Sequence, residues 1–175
     1  LTSLYPAMMP QRRRSEVGAF YTPPALSERL LDLATEGGLD WGTAKVLDPA
    51  AGGGAFLVPA ALRMLASAPG GEPTFVLAQL KHRLSGLELD VHAAVLAQAA
   101  LEIVLAELII VSGRPAPAFV RVGDTLEAAP SATFDLVIGN PPYGRVALTS
   151  DQRERFKRGL YGHANLYGVF TDIAI

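Results

Sequence analysis

Asn140-Pro141-Pro142-Tyr143 sets a side-chain amide, two residues without a backbone N–H and an aromatic ring side by side. Each proline has a fixed φ and offers only a carbonyl acceptor. Asn140 therefore presents a side-chain acceptor, and Pro141 a carbonyl that no neighbouring ladder need claim. Two convergent acceptors beside a π-face suit an amino group on a flat aromatic ring. Such an amine is a poor nucleophile, because its lone pair is delocalised into the ring. Accepting both its hydrogens favours a pyramidal nitrogen with the lone pair free to attack, while Tyr143 stacks on the ring and holds it. The competing reading is a tight turn, which Asn-Pro dipeptides often form.

A second group could hold a ligand with both charged and hydroxylated ends. Asp48-Pro49-Ala50-Ala51-Gly52-Gly53-Gly54-Ala55-Phe56-Leu57 is a glycine-rich loop that lets a ligand approach the backbone closely. Such loops serve nicotinamide as well as S-adenosylmethionine folds. The nicotinamide fingerprint needs a third glycine where Leu57 stands and an acid roughly 20 residues on, and neither is present. Glu88 follows an apolar run, and an acid at a strand's carboxyl end can accept both ribose hydroxyls. The alternative is that Glu88 and Asp90 only cap the next helix. Thr22 reads as a helix N-cap, with Pro23 at the first helical position and Leu26, Leu30 and Leu33 on one face. A helix N-terminus with spare N–H groups and a hydroxyl also binds carboxylate. Asp124 sits in Gly123-Asp124-Thr125-Leu126, where an ordinary turn aspartate is equally consistent.

These residues must be positioned by strands and helices in alternation. Residues 44–47 read as the first strand, 83–90 as a second ending in its acids, 119–122 as a third, and 134–138 as a short buried strand stopped by Gly139 and the prolines. Between them, a helix runs from the glycine loop to about Ser67. A loop covers 68–73, a short helical turn 75–80, and one long apolar helix Val91 to about Val111, with Leu96, Ala100, Val104 and Leu108 in the core. Ser150-Asp151 starts a charged helix with Arg153, Arg155, Lys157 and Arg158, a solvated face by default although four bases could lie along DNA. Residues 165–175 begin another amphipathic helix. Strand then helix, repeated, gives a right-handed parallel α/β sheet. Its ligands bind at the carboxyl ends of the strands where strand order reverses. Thr22, Asp48, Glu88, Asp124 and Asn140 all fall on that rim.

Composition narrows the choices. The 175 residues suit one domain with a sizeable core. With no cysteine there are no disulfides, cysteine–zinc sites or cysteine nucleophile, so a thiolate-dependent cytosine-C5 mechanism is excluded. His82, His92 and His163 lack metal-ligand spacing, and each reads as a surface residue. Glu102 and Glu107 interrupt the longest apolar run, Ala93 to Val111, and no signal peptide is recognisable. The expectation is a soluble, cytoplasmic protein with neither a metal nor a membrane partner. A net charge of −2 is low for a self-sufficient DNA-binding domain.

Asn-Pro-Pro-Tyr resembles the substrate-amine motif of the amino methyltransferases. Asp48-Pro49 opening the glycine loop and Ala55-Phe56-Leu57 closing it resemble the adenine-methyltransferase version of the cofactor motif. Gly18-Ala19-Phe20-Tyr21-Thr22-Pro23 resembles a segment that precedes this loop in one group of N6-adenine DNA methyltransferases. The resemblance, to enzymes of restriction-modification or phage-defence type, spans about Phe20 to Ile175. It implies a Rossmann-like class I S-adenosylmethionine-dependent methyltransferase fold, a mostly parallel doubly wound α/β sheet. Residues 1–19 would be an N-terminal arm carrying Arg12-Arg13-Arg14. Residues 20–175 would be a catalytic domain lacking its later strands and a C-terminal target-recognition domain. It further implies S-adenosylmethionine as cofactor and double-stranded DNA as partner, reached through that recognition region. By this resemblance the cofactor lies against Tyr21, Thr22, Asp48, Pro49, Ala50, Gly52, Gly54, Phe56, Glu88, Leu89, Asp124 and Thr125. Glu88 would take the ribose hydroxyls, Leu89 would meet the adenine, Asp90 would cap the next helix, Asp124 would meet the adenine amino group, and Thr125 stands where members often carry a bulkier apolar residue. Asn140, Pro141, Pro142 and Tyr143 would be catalytic, acting on adenine N6 after base flipping. Asn-Pro-Pro-Tyr also serves methyltransferases of a protein glutamine amide and of an rRNA guanine amine, but Asp48-Pro49 and the Thr22 segment favour DNA. A non-catalytic cofactor-binding or interaction module is the reading from a different class.

Overall fold

The computed structural model describes residues 22–128, 132–160 and 164–175. The expected arm, its arginine run, Tyr21 and His163 lie outside the described residues. Among the described residues one parallel sheet runs in the order β3-β2-β1-β4. Strand β1 (Val46–Asp48) is central, β2 (Leu84–Glu88) and then β3 (Val120–Val122) lie on one side, and β4 (Leu136–Val137) lies on the other. The chain thus builds outward from β1 to β3 and returns to place β4 against β1. The reversal falls between β1 and β4, where Val46 pairs with Leu136 and Leu47 with Val137. Asp48 and Gly139-Asn140 therefore leave adjacent strand ends.

The strands form where apolar residues can be covered on both faces. Val46, Leu84, and Leu57 and Met64 of helix α2 (Leu57–Ala66) are at most 1 % exposed. They share a core with Leu31 of α1 (Pro24–Glu36), Leu80 of α3 (Pro73–Arg83) and Leu101 of α4 (Val91–Val104). Each buried leucine of this kind stabilises the fold by about 1.5–3 kcal/mol. Gly86 lets α2 close on the sheet, because a Cβ there would stand 2.7 Å from Leu57 Cδ1.

Several boundaries differ from the sequence expectation. Helix α1 begins at Pro24, with Pro23 at the cap position and no side-chain cap, so Thr22 precedes the cap rather than forming it. Its buried face carries Ser27 and Leu31, while Leu26, Leu30 and Leu33 are exposed. Helix α3 is a full 11 residues rather than a short turn, because Glu72 caps it through the Thr74 and Phe75 N–H groups and Pro73 starts it. The long apolar helix is two: α4 and α5 (Ala106–Ser112), bent by 69° at their junction. Ala93, Ala97, Ala100 and Leu101 hold α4 in the core, whereas Leu96, Val104 and Leu108 are only half-buried. Among the described residues no single helix is long and apolar enough to cross a membrane. Strand β4 is half-buried rather than buried, because among the described residues it is the sheet's edge.

A second, smaller core sits beyond β4. Leu126 of α6 (Thr125–Ala128) packs with Phe156 and with Val169 and Phe170 of α8 (Leu166–Ile173). The segment after Tyr143 reaches it through Leu166 N–H to the Gly144 carbonyl and Val146 N–H to the Ala164 carbonyl. This fixes where the chain goes on leaving Tyr143. The charged helix α7 (Ser150–Arg155) starts on a Thr149–Gln152 capping box and stops before Phe156. Counting the turn that follows, three of its four expected bases are engaged among the described residues. Arg155 donates to the Leu126 carbonyl, Lys157 pairs with Glu154, and Arg158 reaches Asp172.

Candidate active site

Asp48 ends β1 and is only 1 % exposed. Its Oδ1 accepts from the Ala50 N–H, which folds the glycine loop back over the strand end, while Oδ2 is buried without a hydrogen-bond partner. Burial, reinforced by the nearby charge of Glu88, pushes its carboxyl up to about 8. Gly139, at the end of β4, presses on the same side chain, since a Cβ there would stand 2.6 Å from Asp48 Oδ1. Sequence reasoning took Gly139 only as the stop of a strand. Its signal was a glycine between a strand and the Asn-Pro pair, where close approach of two loops excludes a side chain.

The glycine loop is fastened from both sides. Its Ala51 N–H donates to the Leu87 carbonyl of β2, and its Gly52 N–H to Glu88 Oε2 at 2.7 Å. Gly52 and Gly54 both adopt positive φ, at 52° and 88°. A Cβ on Gly54 would sit 3.3 Å from Ala97 on α4, so the loop lies directly on that helix. Phe56 and Pro49 are buried, and Ala50 is half-buried.

Glu88 and Asp90 divide the work that sequence left open between them. Asp90 Oδ1 accepts from the His92 and Ala93 N–H groups and caps α4. Glu88 does not cap that helix. Its Oε1 takes the Asp90 N–H and its Oε2 the Gly52 N–H, so it ties β2 to the glycine loop. Burial raises its carboxyl above the ordinary range, partly offset by these N–H donors. A carboxylate has about four lone-pair sites, so beside its backbone donors Glu88 retains acceptor capacity for a hydroxyl. Leu89, between the two acids, is 71 % exposed, an apolar side chain standing free at the rim.

On the β3 side, Asp124 Oδ1 accepts from the Leu126 N–H and so starts α6. Thr125 is buried, and its hydroxyl donates to the Pro49 carbonyl. Its side chain thus pins the β3 loop to the glycine loop.

Asn140 links both halves of the rim. Its Nδ2 donates to Thr22 Oγ1 at 3.3 Å, and its Oδ1 accepts from the Tyr143 hydroxyl at 3.1 Å. Thr22 is buried and Tyr143 is 55 % exposed, with Pro141 and Pro142 half-buried between. The structure therefore gathers Thr22, Asp48, Gly139, Asn140 and Tyr143 at the β1–β4 junction. Glu88 joins this group through Gly52, and Thr125 through Pro49. Asp124 is placed on the same rim but is tied to its own helix. Among the described residues no group of His, Asp or Glu side chains could hold a metal ion.

Comparison with known proteins shows the family and the fold. The family described as N-6 DNA Methylase matches residues 6–166. The chain is 37 % identical over 173 residues to the type II methyltransferase M.XhoI of Xanthomonas vasicola, covering 90 % of this chain and 31 % of that relative. It is 31 % identical over 183 residues to the type II methyltransferase M.TthHB8I of Thermus thermophilus, covering 97 % of this chain and 34 % of that relative. The chain thus spans about a third of the length of these relatives. A type I restriction-modification methyltransferase subunit from Streptococcus thermophilus shares the fold. It has a TM-score of 0.59 at 22 % identity, over 87 % of this chain and 31 % of that one. The expected α/β methyltransferase fold with its parallel sheet is borne out.

Proposed function

Since the chain belongs to the N-6 DNA Methylase family, we propose that it forms the catalytic core of an S-adenosylmethionine-dependent enzyme that methylates adenine N6 in double-stranded DNA, within a restriction-modification or defence system. The observation that carries the reading is the contact between the two loops: Gly139 against Asp48 and Asn140 against Thr22, at the reversal of strand order. A ligand on the glycine loop and an amine on Asn140 would then be close neighbours.

The donor set fits the cofactor. Its ammonium and sulfonium groups are cationic, and the rim carries a buried carboxylate oxygen without a partner, Asp48 Oδ2. Its ribose hydroxyls suit Glu88, its carboxylate the Thr22 hydroxyl, and its adenine the exposed face of Leu89. When bound, S-adenosylmethionine supplies a methyl group on a sulfonium sulfur that departs as a neutral thioether. The chain's own residues act on the amine. Adenine N6 lies within the duplex, so the base is flipped out before it reaches Asn140. Asn140 Oδ1 and the Pro141 carbonyl accept the two amine hydrogens and favour the pyramidal nitrogen. Both acceptors gain most as charge grows on that nitrogen, so they lower the barrier rather than merely raise affinity, and the methylated nitrogen then releases one proton to solvent. Tyr143, exposed beside them, offers its ring as a stacking partner for the flipped base. The net charge of −2 supports sequence recognition lying outside these 175 residues.

Incubating the protein expressed from its full reading frame with methyl-labelled cofactor and DNA, followed by nucleoside analysis, tests the reading. Label is expected on adenine N6. Label on cytosine N4, on RNA or on a protein glutamine would overturn the substrate and leave the amine geometry standing.

A further inference from the structure

The hydrogen bond between Thr22 and Asn140 joins a residue of the cofactor side to the residue that must receive the amine. A primary amide can be turned by 180° about its Cβ–Cγ axis, and the two orientations differ only in which neighbours they satisfy. Only one of them is useful, with Oδ1 toward the amine and Nδ2 away from it. In the structure Nδ2 points at Thr22 Oγ1, and Oδ1 at the Tyr143 hydroxyl. A threonine hydroxyl has one proton and two lone pairs. With its proton uncommitted it could donate to Asn140 Oδ1 as readily as accept from Nδ2, so alone it does not select the amide orientation.

We infer that Thr22 is a positioning residue that sets the Asn140 amide according to cofactor occupancy. The inference rests on the reading that the carboxylate of S-adenosylmethionine accepts from the Thr22 hydroxyl. Once that carboxylate takes the only hydroxyl proton, Oγ1 can do nothing but accept. It then requires Nδ2, and Oδ1 is turned toward the amine. Thr22 is buried, so water does not readily substitute for either partner. Because Thr22 precedes the cap of α1 and makes no cap hydrogen bond, its hydroxyl is not needed to start the helix. The device makes the amine site competent when a methyl donor is present.

The test uses the protein from its full reading frame in three forms: wild type, Thr22→Val and Thr22→Ser. Valine keeps the shape and removes the hydroxyl, and serine keeps the hydroxyl. Single-turnover methyl transfer is measured with cofactor and DNA both saturating, so that weaker cofactor binding cannot lower the rate. Thr22→Val should be slower by about tenfold, the scale of one lost hydrogen bond, and Thr22→Ser should recover most of the rate. In an Asn140→Ala background Thr22→Val should add little, because the group it positions is gone. A second readout is independent of turnover. With asparagine labelled at the side-chain nitrogen, the two Asn140 amide protons should shift on saturation with S-adenosylhomocysteine in wild type and Thr22→Ser. They should stay unmoved in Thr22→Val, with the signal identified by its loss in Asn140→Ala. A saturated rate in Thr22→Val equal to wild type, or an Asn140 shift undiminished in that variant, overturns the inference while adenine methylation by wild type stands. Absence of any methyl transfer by wild type overturns the functional reading and takes this inference with it.

Discussion

The two halves of the rim are built differently. Around the glycine loop the polar groups are held by the chain itself: Asp48 is 1 % exposed, Glu88 holds Gly52, and Thr125 holds Pro49. Around Asn140 the strand is two residues long, its residues are half-buried, and Tyr143 is 55 % exposed. The first half is preorganised, its geometry fixed by contacts that need no ligand. The second is a half-exposed platform that, among the described residues, lies at the sheet edge. Substitutions in the loop should therefore be felt in stability and cofactor affinity, and substitutions in the platform in turnover and base binding.

The platform gives the largest expected effect. Asn140→Ala removes an acceptor that is engaged most strongly in the transition state, and should cut methyl transfer by roughly two to three orders of magnitude. Calorimetry should find cofactor affinity little changed. A comparable loss of cofactor affinity would erase the distinction between the halves. Gly139→Ala lies where they touch. The added methyl would stand 2.6 Å from Oδ1 of the buried Asp48, a form of overpacking that costs about 1–3 kcal/mol. The denaturation midpoint should fall, together with cofactor affinity. Unaltered stability would mean that the loops separate more easily than their contact implies.

How much of this was legible follows the same division. The path from β1 through the glycine loop into α2 is written locally, as an apolar run, glycines and an apolar helix, and it folds as read. Asp90 caps α4 as expected, and the amine motif ends a strand beside β1 because parallel topology leaves few alternatives. What could not be read depends on contacts distant in sequence. Leu26, Leu30 and Leu33 share the expected helical face, and only packing with Leu57, Met64 and Trp41 selects the face of Leu31 as the buried one. The α4–α5 bend falls at Leu105, with no glycine or proline to announce it. Consecutive prolines at 23 and 24 displaced the helix start by one residue and freed Thr22 for Asn140. That contact spans 118 residues of sequence, and no local pattern encodes it.

Two acids in the preorganised half sharpen the comparison. Glu88→Ala removes an acceptor from two backbone N–H groups as well as from the ribose, and should weaken cofactor binding by about 1–3 kcal/mol. Unchanged affinity would remove Glu88 from the ribose. Asp48 predicts a pH dependence. Its folded value near 8 lies above the ordinary 3.8, so the folded state binds the extra proton between those limits. Stability carried by that proton is complete below pH 4 and is lost as pH rises toward 8. Asp48→Asn should flatten that slope in thermal melts taken across the window. A cation at Oδ2 favours the ionised form, so cofactor binding near pH 7 should release a proton. Calorimetry in buffers of different ionisation enthalpy detects the release.

The smallest effect belongs to the Tyr143 hydroxyl, and it discriminates between two roles for that residue. In the structure the hydroxyl donates to Asn140 Oδ1, the acceptor that the amine needs. An arriving amine meets the hydroxyl at that same oxygen, so the hydroxyl competes with it for acceptor strength while the ring assists it. Tyr143→Phe removes the competitor and keeps the stacking face. The rate should then change by less than about tenfold, since a half-exposed hydrogen bond is worth little net. Tyr143→Ala removes the face as well and should weaken binding of the flipped base by about 1–3 kcal/mol, the usual value of one base–aromatic stack. The ratio between the two variants is the measurement. If Phe is as damaging as Ala at saturating DNA, the hydroxyl takes part in the chemistry, and the platform is more preorganised than its exposure indicates.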